Sequence, residues 1–269
     1  MPQCRLQYLV NELCNMTRLA YIYDLIAVFT KKDLKVRYKS SFFGYLWSVA
    51  NPLLFAMIYY FIFKLVMRVQ IPDYTIFLIT GLFPWQWFNN AVNNSLFAYL
   101  SNAQIVKKTA FPRSVIPFCG TMMEFLHFLC TLPVIIVFLW VYDLSPSTSW
   151  LWGVPLISLA QMLFIYGISL ILSSLNLFFR DLERFVSLGL ILLFYCTPIL
   201  YSTDLIPAKY HDMILSNPMS GMILAWRDLF MHGVINYSEL ATLYGYGIVA
   251  MALGSLIFNS LKSRFAEIL

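Results

Sequence analysis

The feature that most restricts this chain is the length of its apolar runs. Six stretches are almost free of charge, residues 42–66, 74–100, 114–141, 150–177, 185–201 and 240–261, and the charged residues collect between them. At about 1.5 Å of rise per helical residue, each run is near the length needed to cross about 30 Å of hydrocarbon. Backbone inside a bilayer must satisfy its own hydrogen bonds, which a helix does within a single segment. No alternation of period two runs through these stretches, which argues against a β-barrel. Composition agrees, since 60% of the 269 residues are hydrophobic and only 12% are charged. That is too little charge to coat a water-soluble protein of this length. The expected fold is an all-α integral membrane protein with six transmembrane helices. One membrane domain covers residues 42–269, after a cytoplasmic segment over residues 1–41.

Basic residues orient the runs. Seven Lys and Arg precede the first run: Arg5, Arg18, Lys31, Lys32, Lys35, Arg37 and Lys39. Lys107, Lys108 and Arg113 lie between the second and third, Arg180 and Arg184 between the fourth and fifth, and Lys262 and Arg264 after the sixth. The alternate connections hold only Lys64, Arg68, Lys209 and Arg227 of the 18 in the chain. The positive-inside rule therefore puts both termini in the cytoplasm. The net charge of +5 is explained by this topology without a nucleic-acid partner. The first forty residues lack the apolar core of a signal peptide, so the N-terminus is expected to remain cytoplasmic. Cys4, Cys14, Cys119, Cys130 and Cys196 suggest neither disulfides nor a metal site, and are expected to behave as small hydrophobes.

Two regions outside the spans have a pattern of their own. Between Arg18 and Tyr38, the residues Ile22, Leu25, Ile26 and Phe29 recur at helical spacing, while Asp24, Lys31 and Lys35 fall towards another side. This predicts an amphipathic helix lying in the membrane interface. The external connection over residues 202–239 predicts two short helices, with Pro218 in the first turn of the second and Ser216 or Asn217 as its cap.

Polar residues inside the runs mark candidate sites. Asn89, Asn90, Asn93 and Asn94 follow Trp85, Trp87 and Phe88 in the second run. Four amides at membrane depth are costly against lipid, so they are expected to face other helices, water or a substrate. Amides bond sugar hydroxyls and aromatic rings stack on sugar CH faces, so this stretch is a candidate pore lining. Interhelical amide bonding is the competing role. Glu124 and His127 share one face of the third run and read as a hydrogen-bonded structural pair, with proton coupling as the alternative.

The segment Lys35-Val-Arg-Tyr-Lys-Ser-Ser-Phe-Phe-Gly-Tyr-Leu-Trp-Ser-Val-Ala-Asn-Pro-Leu53 resembles the entry to the first span of type-2 ABC exporter permeases. Arg37, Tyr38, Gly44, Leu46, Trp47, Pro52 and Leu53 match that pattern. Phe179-Arg-Asp181, Thr197-Pro-Ile-Leu-Tyr201 and Asn217-Pro-Met219 with Arg227 extend the likeness over nearly the whole chain. It is greatest to permeases that export O-antigen, capsule or teichoic-acid polymers. The resemblance implies a homodimer paired with two copies of a P-loop ATPase subunit, which binds ATP and Mg and supplies the energy. The implied substrate is a lipid-linked O-antigen-type polysaccharide crossing the bacterial inner membrane through a channel at the dimer interface.

On this basis Trp47, Tyr59, Trp85, Trp87, Phe88, Asn89 and Asn93 are expected to line the channel or touch substrate. Lys107, Lys108, Arg180, Asp181, Glu183 and Arg184 are expected to couple to the ATPase. Pro218, Met219, Trp226 and Arg227 are expected to form an external gate, the short helices there being re-entrant. The chain contains no Gly-x-x-x-x-Gly-Lys-Ser/Thr phosphate cradle and no cluster with metal-ligand spacing, so no cofactor of its own and no enzymatic activity are expected. Capsule or teichoic-acid export, export of drugs or small lipids, a gradient-driven transporter and a membrane-embedded transferase remain the alternatives. The last two would need intramembrane charges or clustered acids, and the spans offer chiefly Glu124.

Overall fold

Most of each apolar run is helix, which satisfies its backbone within one segment without water. The computed structural model describes residues 20–21, 23–32, 35, 46–66, 68, 71–108 and 111–269. Arg37, Tyr38 and Gly44 of the entry motif lie outside these residues, as do Cys4 and Cys14. Helix α1 covers residues 23–32. It is followed by α2 (Trp47–Tyr60), which continues as π-helix over Phe61–Val66, then α3 (Tyr74–Leu96), α4 (Ala103–Lys108) and α5 (Val115–Val141). Next come α6 (Trp150–Asn176), α7 (Leu182–Tyr195), α8 (Ala208–Leu215) and α9 (Pro218–Arg227) with a π-helical end at Asp228–His232. Helix α10 (Tyr237–Leu261) leads through a 3-10 turn into α11 (Phe265–Ile268).

Among the described residues, three helices are both long and apolar enough to cross a membrane: α5, α6 and α10 extended to Arg264. At 27 residues, α5 and α6 are each about 40 Å long. The other three expected spans are less regular. Helix α3 ends at Leu96 rather than Leu100, and α7 gives way after Tyr195 to an irregular segment carrying Pro198. The first run is helical from Trp47, with its last six residues in π form.

Among the described residues, α6 and α10 pack together most extensively, and small residues permit it. A Cβ on Gly167 would run into the Ala250 carbonyl, and one on Gly254 into the carbonyl of Gly167. Gly247 approaches Ala160 and Leu163 in the same way. Such close backbone approach is how helices gain dispersion energy where lipid gives no hydrophobic drive to associate. The Tyr244 hydroxyl fastens the seam by donating to the Leu156 carbonyl at 2.9 Å.

Two apolar clusters divide the molecule. The larger centres on α3 and α9, where Ile76, Leu78, Ile79, Met222, Ile223 and Trp226 are fully buried. The smaller gathers Phe29 of α1, Tyr99, Val106 of α4, Leu177, Phe258 and Phe265 of α11. Leu25 and Ile26 pack against this second cluster, while Asp24, Lys31 and Lys35 are exposed, so α1 is two-sided as its spacing predicts. The short helix α4 precedes Arg113 and packs on α11, beside Tyr99 and Phe265 at 4.8 Å between ring centroids.

The α6–α10 seam should tolerate no added carbon. Gly167→Ala should lower stability by about 1–3 kcal/mol, the usual cost of overpacking. Gly245→Ala, whose Cβ would meet nothing within 4 Å, should not. Thermal unfolding of both variants in detergent checks the contrast.

Candidate functional site

Helix α3 sets the site because its two faces do different work. Gln86, Asn89, Asn90 and Asn93 follow one another at helical spacing along one face. They line a groove of about 420 Å³ whose other walls are Phe55 and Tyr59 of α2 and Ser187, Leu190, Ile191, Phe194 and Tyr195 of α7. Tyr59 and Trp85 both lie against the Phe194 ring, at 5.7 and 5.5 Å between centroids. Asn93 turns its amide to the Asn89 carbonyl at 2.9 Å and to the Asn89 side chain at 3.4 Å. The groove thus combines amides on one wall with aromatic and aliphatic faces on the others. Groups of that kind bind chains that carry hydroxyls beside apolar CH faces.

The expected channel residues separate on this geometry. Tyr59, Trp85, Asn89 and Asn93 line the groove together. Trp87 and Phe88 do not: they occupy the opposite face of α3, each at most 3% exposed. Trp87 packs on Phe125 and Phe128, and Phe88 on Phe164. Trp47 lies elsewhere, 45% exposed, on an apolar patch of α2 with Leu46, Leu54 and Met57. The four asparagines of the candidate pore lining also divide, since Asn94 lies outside the groove and donates to Glu124 Oε1 at 2.7 Å. Glu124 is bonded to His127 as the spacing suggests, at 3.2 Å, and Arg113 donates to the Lys262 carbonyl.

The residues expected at a gate are largely interior. Pro218 opens α9 and Asn217 caps it, accepting from the Met219 amide at 3.0 Å while donating to Thr197 Oγ1 at 3.1 Å. Met219, Trp226 and Arg227 point into the protein. Trp226 donates to Gln161 Oε1 at 2.6 Å, and Gln161 donates onward to the Pro84 carbonyl at 2.9 Å. This buried chain ties α9 to α6 and α3. Arg227 is 6% exposed, lies 3.6 Å from the centroid of Phe77, and donates to the carbonyls of Pro198, Ile199 and Phe77 at 3.0, 3.2 and 3.4 Å.

Arg227 and its neighbour lie outside the long apolar helices. Burial pulls the Arg227 guanidinium down to about 9, against the opposing effect of Asp228 and Tyr74. Burial pushes the Asp228 carboxyl up, against the pull of His232 and Arg227.

Lys107 and Lys108 end α4 and are exposed, as are Arg180, Asp181, Glu183 and Arg184 at the start of α7. The latter four follow Leu177, which packs in the same cluster as Val106 of α4, so both charged groups belong to one end of the molecule. Sequence reasoning did not identify Gln86, Ser187, Phe194 or Tyr195 as groove residues, nor Gln161 as a link. A lone glutamine in the middle of an apolar run was the available signal for Gln161.

Residues 24–231 match the ABC-2 type transporter family, and the chain belongs to that family of membrane transporter subunits. It is 67% identical to the O-antigen export system permease protein RfbA of Klebsiella pneumoniae over 251 residues, which cover 93% of this chain and 97% of that one. It is 31% identical to a protein of the same name from Myxococcus xanthus, over 95% of this chain and 99% of the relative. The polysialic acid transport protein KpsM of Escherichia coli is 23% identical over 85% of this chain and 90% of its own length.

Arg227→Met should cost about 3 kcal/mol, because it strands buried carbonyls that no water can reach. Arg227→Lys keeps the charge but cannot reproduce the fork of donors, and should fall between the two. Thermal unfolding of the purified chain, compared with the wild type, reads the order.

Proposed function

We propose that this chain is the transmembrane subunit of an ABC exporter that carries lipid-linked O-antigen polysaccharide across the bacterial inner membrane. The observation that carries the reading is 67% identity, over nearly the full length of both chains, to permeases named for O-antigen export. The identity to the polysialic acid transport protein is far lower, which favours O-antigen over capsule as the cargo. In this reading α2, α3 and α7 join α5, α6 and α10 as six spans, with both termini cytoplasmic. The distribution of Lys and Arg supports that orientation.

The polymer path would be the groove between α2, α3 and α7, completed by a second copy of the chain. Phe185, Leu188 and Leu192 of α7 and Met57, Ile58 and Phe61 of α2 are each more than half exposed and apolar, which suits lipid or a second subunit. Amides of Asn89 and Asn93 would bond passing hydroxyls, and Tyr59 would present a ring to the sugar faces. Having no phosphate cradle, the chain would draw its energy from two copies of a partner ATPase that bind ATP and Mg. Lys107, Lys108 and the charges of residues 180–184 would receive that movement. The short helices α8 and α9 would lie at the external side of the path.

Deleting the gene should trap lipid-linked polymer in the cytoplasm; a strain that still displays normal surface glycan would sink the reading. For the groove, Asn89→Leu with Asn93→Leu should cut export several-fold while the protein still reaches the membrane in normal amount. Export at the wild-type rate in that double variant would leave these amides a structural role only.

A further inference from the structure

Two amides in the groove between α2, α3 and α7 are left unsatisfied among the described residues. Asn89 and Asn93 spend part of their bonding capacity on each other, the Asn93 amide reaching both the carbonyl and the side chain of Asn89. The side chains of Gln86 and Asn90, one helical turn apart on the same face, have no hydrogen-bond partner among the described residues. Each keeps two N–H donors and a carbonyl acceptor free. Unpaired amides are costly at membrane depth, so their partners must come from whatever fills the groove.

The groove also lacks charge: no described residue that lines it is Asp, Glu, Lys, Arg or His. Arg184 and Glu183, the charges nearest to it along the chain, precede Ser187 by three and four residues, lie outside the lining and have opposite signs. A second cavity, between α3 and α5, does hold a carboxylate, that of Glu124, which Asn94 and His127 already bond. The lack of charge is therefore particular to the groove. A carboxylate or phosphate entering it would give up water and meet no cation, which is costly. A hydroxyl would give up water and meet an amide, an exchange of one hydrogen bond for another. A second copy closing the groove would bring the same uncharged residues to it.

We propose that the groove selects an uncharged polysaccharide, with the amides of Gln86 and Asn90 bonding its hydroxyls, and rejects polymers that carry carboxylate or phosphate in their repeat. Selection then works against the wrong polymer, through a charge left unpaired, as well as for the right one. The proposal rests on the export reading for the presence of a polymer in this groove. The net charge of +5 acts the other way, because it draws polyanions towards the chain as a whole, so the preference belongs to the groove.

The test uses the full chain in nanodiscs and two radiolabelled probes, maltoheptaose and the same heptamer with its primary alcohols oxidised to carboxylates. Equilibrium dialysis at physiological ionic strength, where attraction to distant basic groups is screened, reads the affinity for each. The wild type should bind the neutral heptamer at least tenfold more tightly than the acidic one. Gln86→Leu with Asn90→Leu removes both free amides and should weaken neutral binding at least tenfold. Asn90→Lys places a cation in the groove and should strengthen acidic binding at least tenfold, a gain that a misfolded chain would not show. Equal or tighter binding of the acidic heptamer by the wild type would overturn the proposal, as would no binding of either. Neutral binding unchanged in the double variant, or acidic binding unchanged in Asn90→Lys, would overturn it too. A strain that keeps its surface glycan after gene deletion sinks the export reading without altering these affinities, so the two fail separately.

Discussion

The arrangement depends on one buried cation. Arg227 places its guanidinium among carbonyls that the irregular segment after α7 leaves without helical partners. Residues 197–201 leave helical geometry at a depth where stray carbonyls would be costly, because Pro198 lacks an amide proton and the chain must turn. A charged planar fork answers two of those carbonyls at once, and Phe77 of α3 covers its face at 3.6 Å. Burying the charge is tolerable only because its hydrogens are aimed at acceptors. Gly81, one turn further along α3, keeps the space open, since a Cβ there would come within 2.9 Å of the guanidinium. The residue before Arg227 extends the same tie, through Gln161, to the carbonyl of Pro84.

That tie fixes α3 relative to α7 and α9, and α3 in turn divides the molecule. Its hidden face carries Trp87 and Phe88 into the core, and its open face carries the amides into the groove. The groove therefore has one rigid wall and two walls, α2 and α7, whose outer apolar faces are exposed. The α6–α10 seam is a separate solution, in which glycines bring backbones into direct contact and the Tyr244 hydroxyl fastens them. The protein thus joins a tightly packed half to a half that is open on one side.

Much of the fold was legible in the amino-acid order. The apolar runs foretold the helices, the spacing of Leu25, Ile26 and Phe29 foretold the two-sided α1, and Asn217-Pro218 foretold the start of α9. Three residues of the amide stretch, Asn89, Asn90 and Asn93, line the groove. Spacing alone could not assign faces within that stretch, because Trp85, Trp87 and Phe88 are chemically alike and only the neighbouring helices decide which of them is covered. Asn94 illustrates the same limit, being an i+4 partner of Asn90 that turns instead to Glu124 on another helix.

The sequence by itself determined that this chain is helical, apolar enough for a bilayer, and charged chiefly at its connections, since those properties follow from local composition and period. Its kinship with the ABC-2 type transporter family was also written there, in motifs spread along the chain. Only the tertiary structure decided that Arg227 and Trp226 are interior ties, that α2 and α7 supply the groove's other walls, and that Glu124 faces a second cavity. Those outcomes depend on pairs of residues far apart in the chain, such as Phe77 with Arg227, and no local pattern encodes the distance between them.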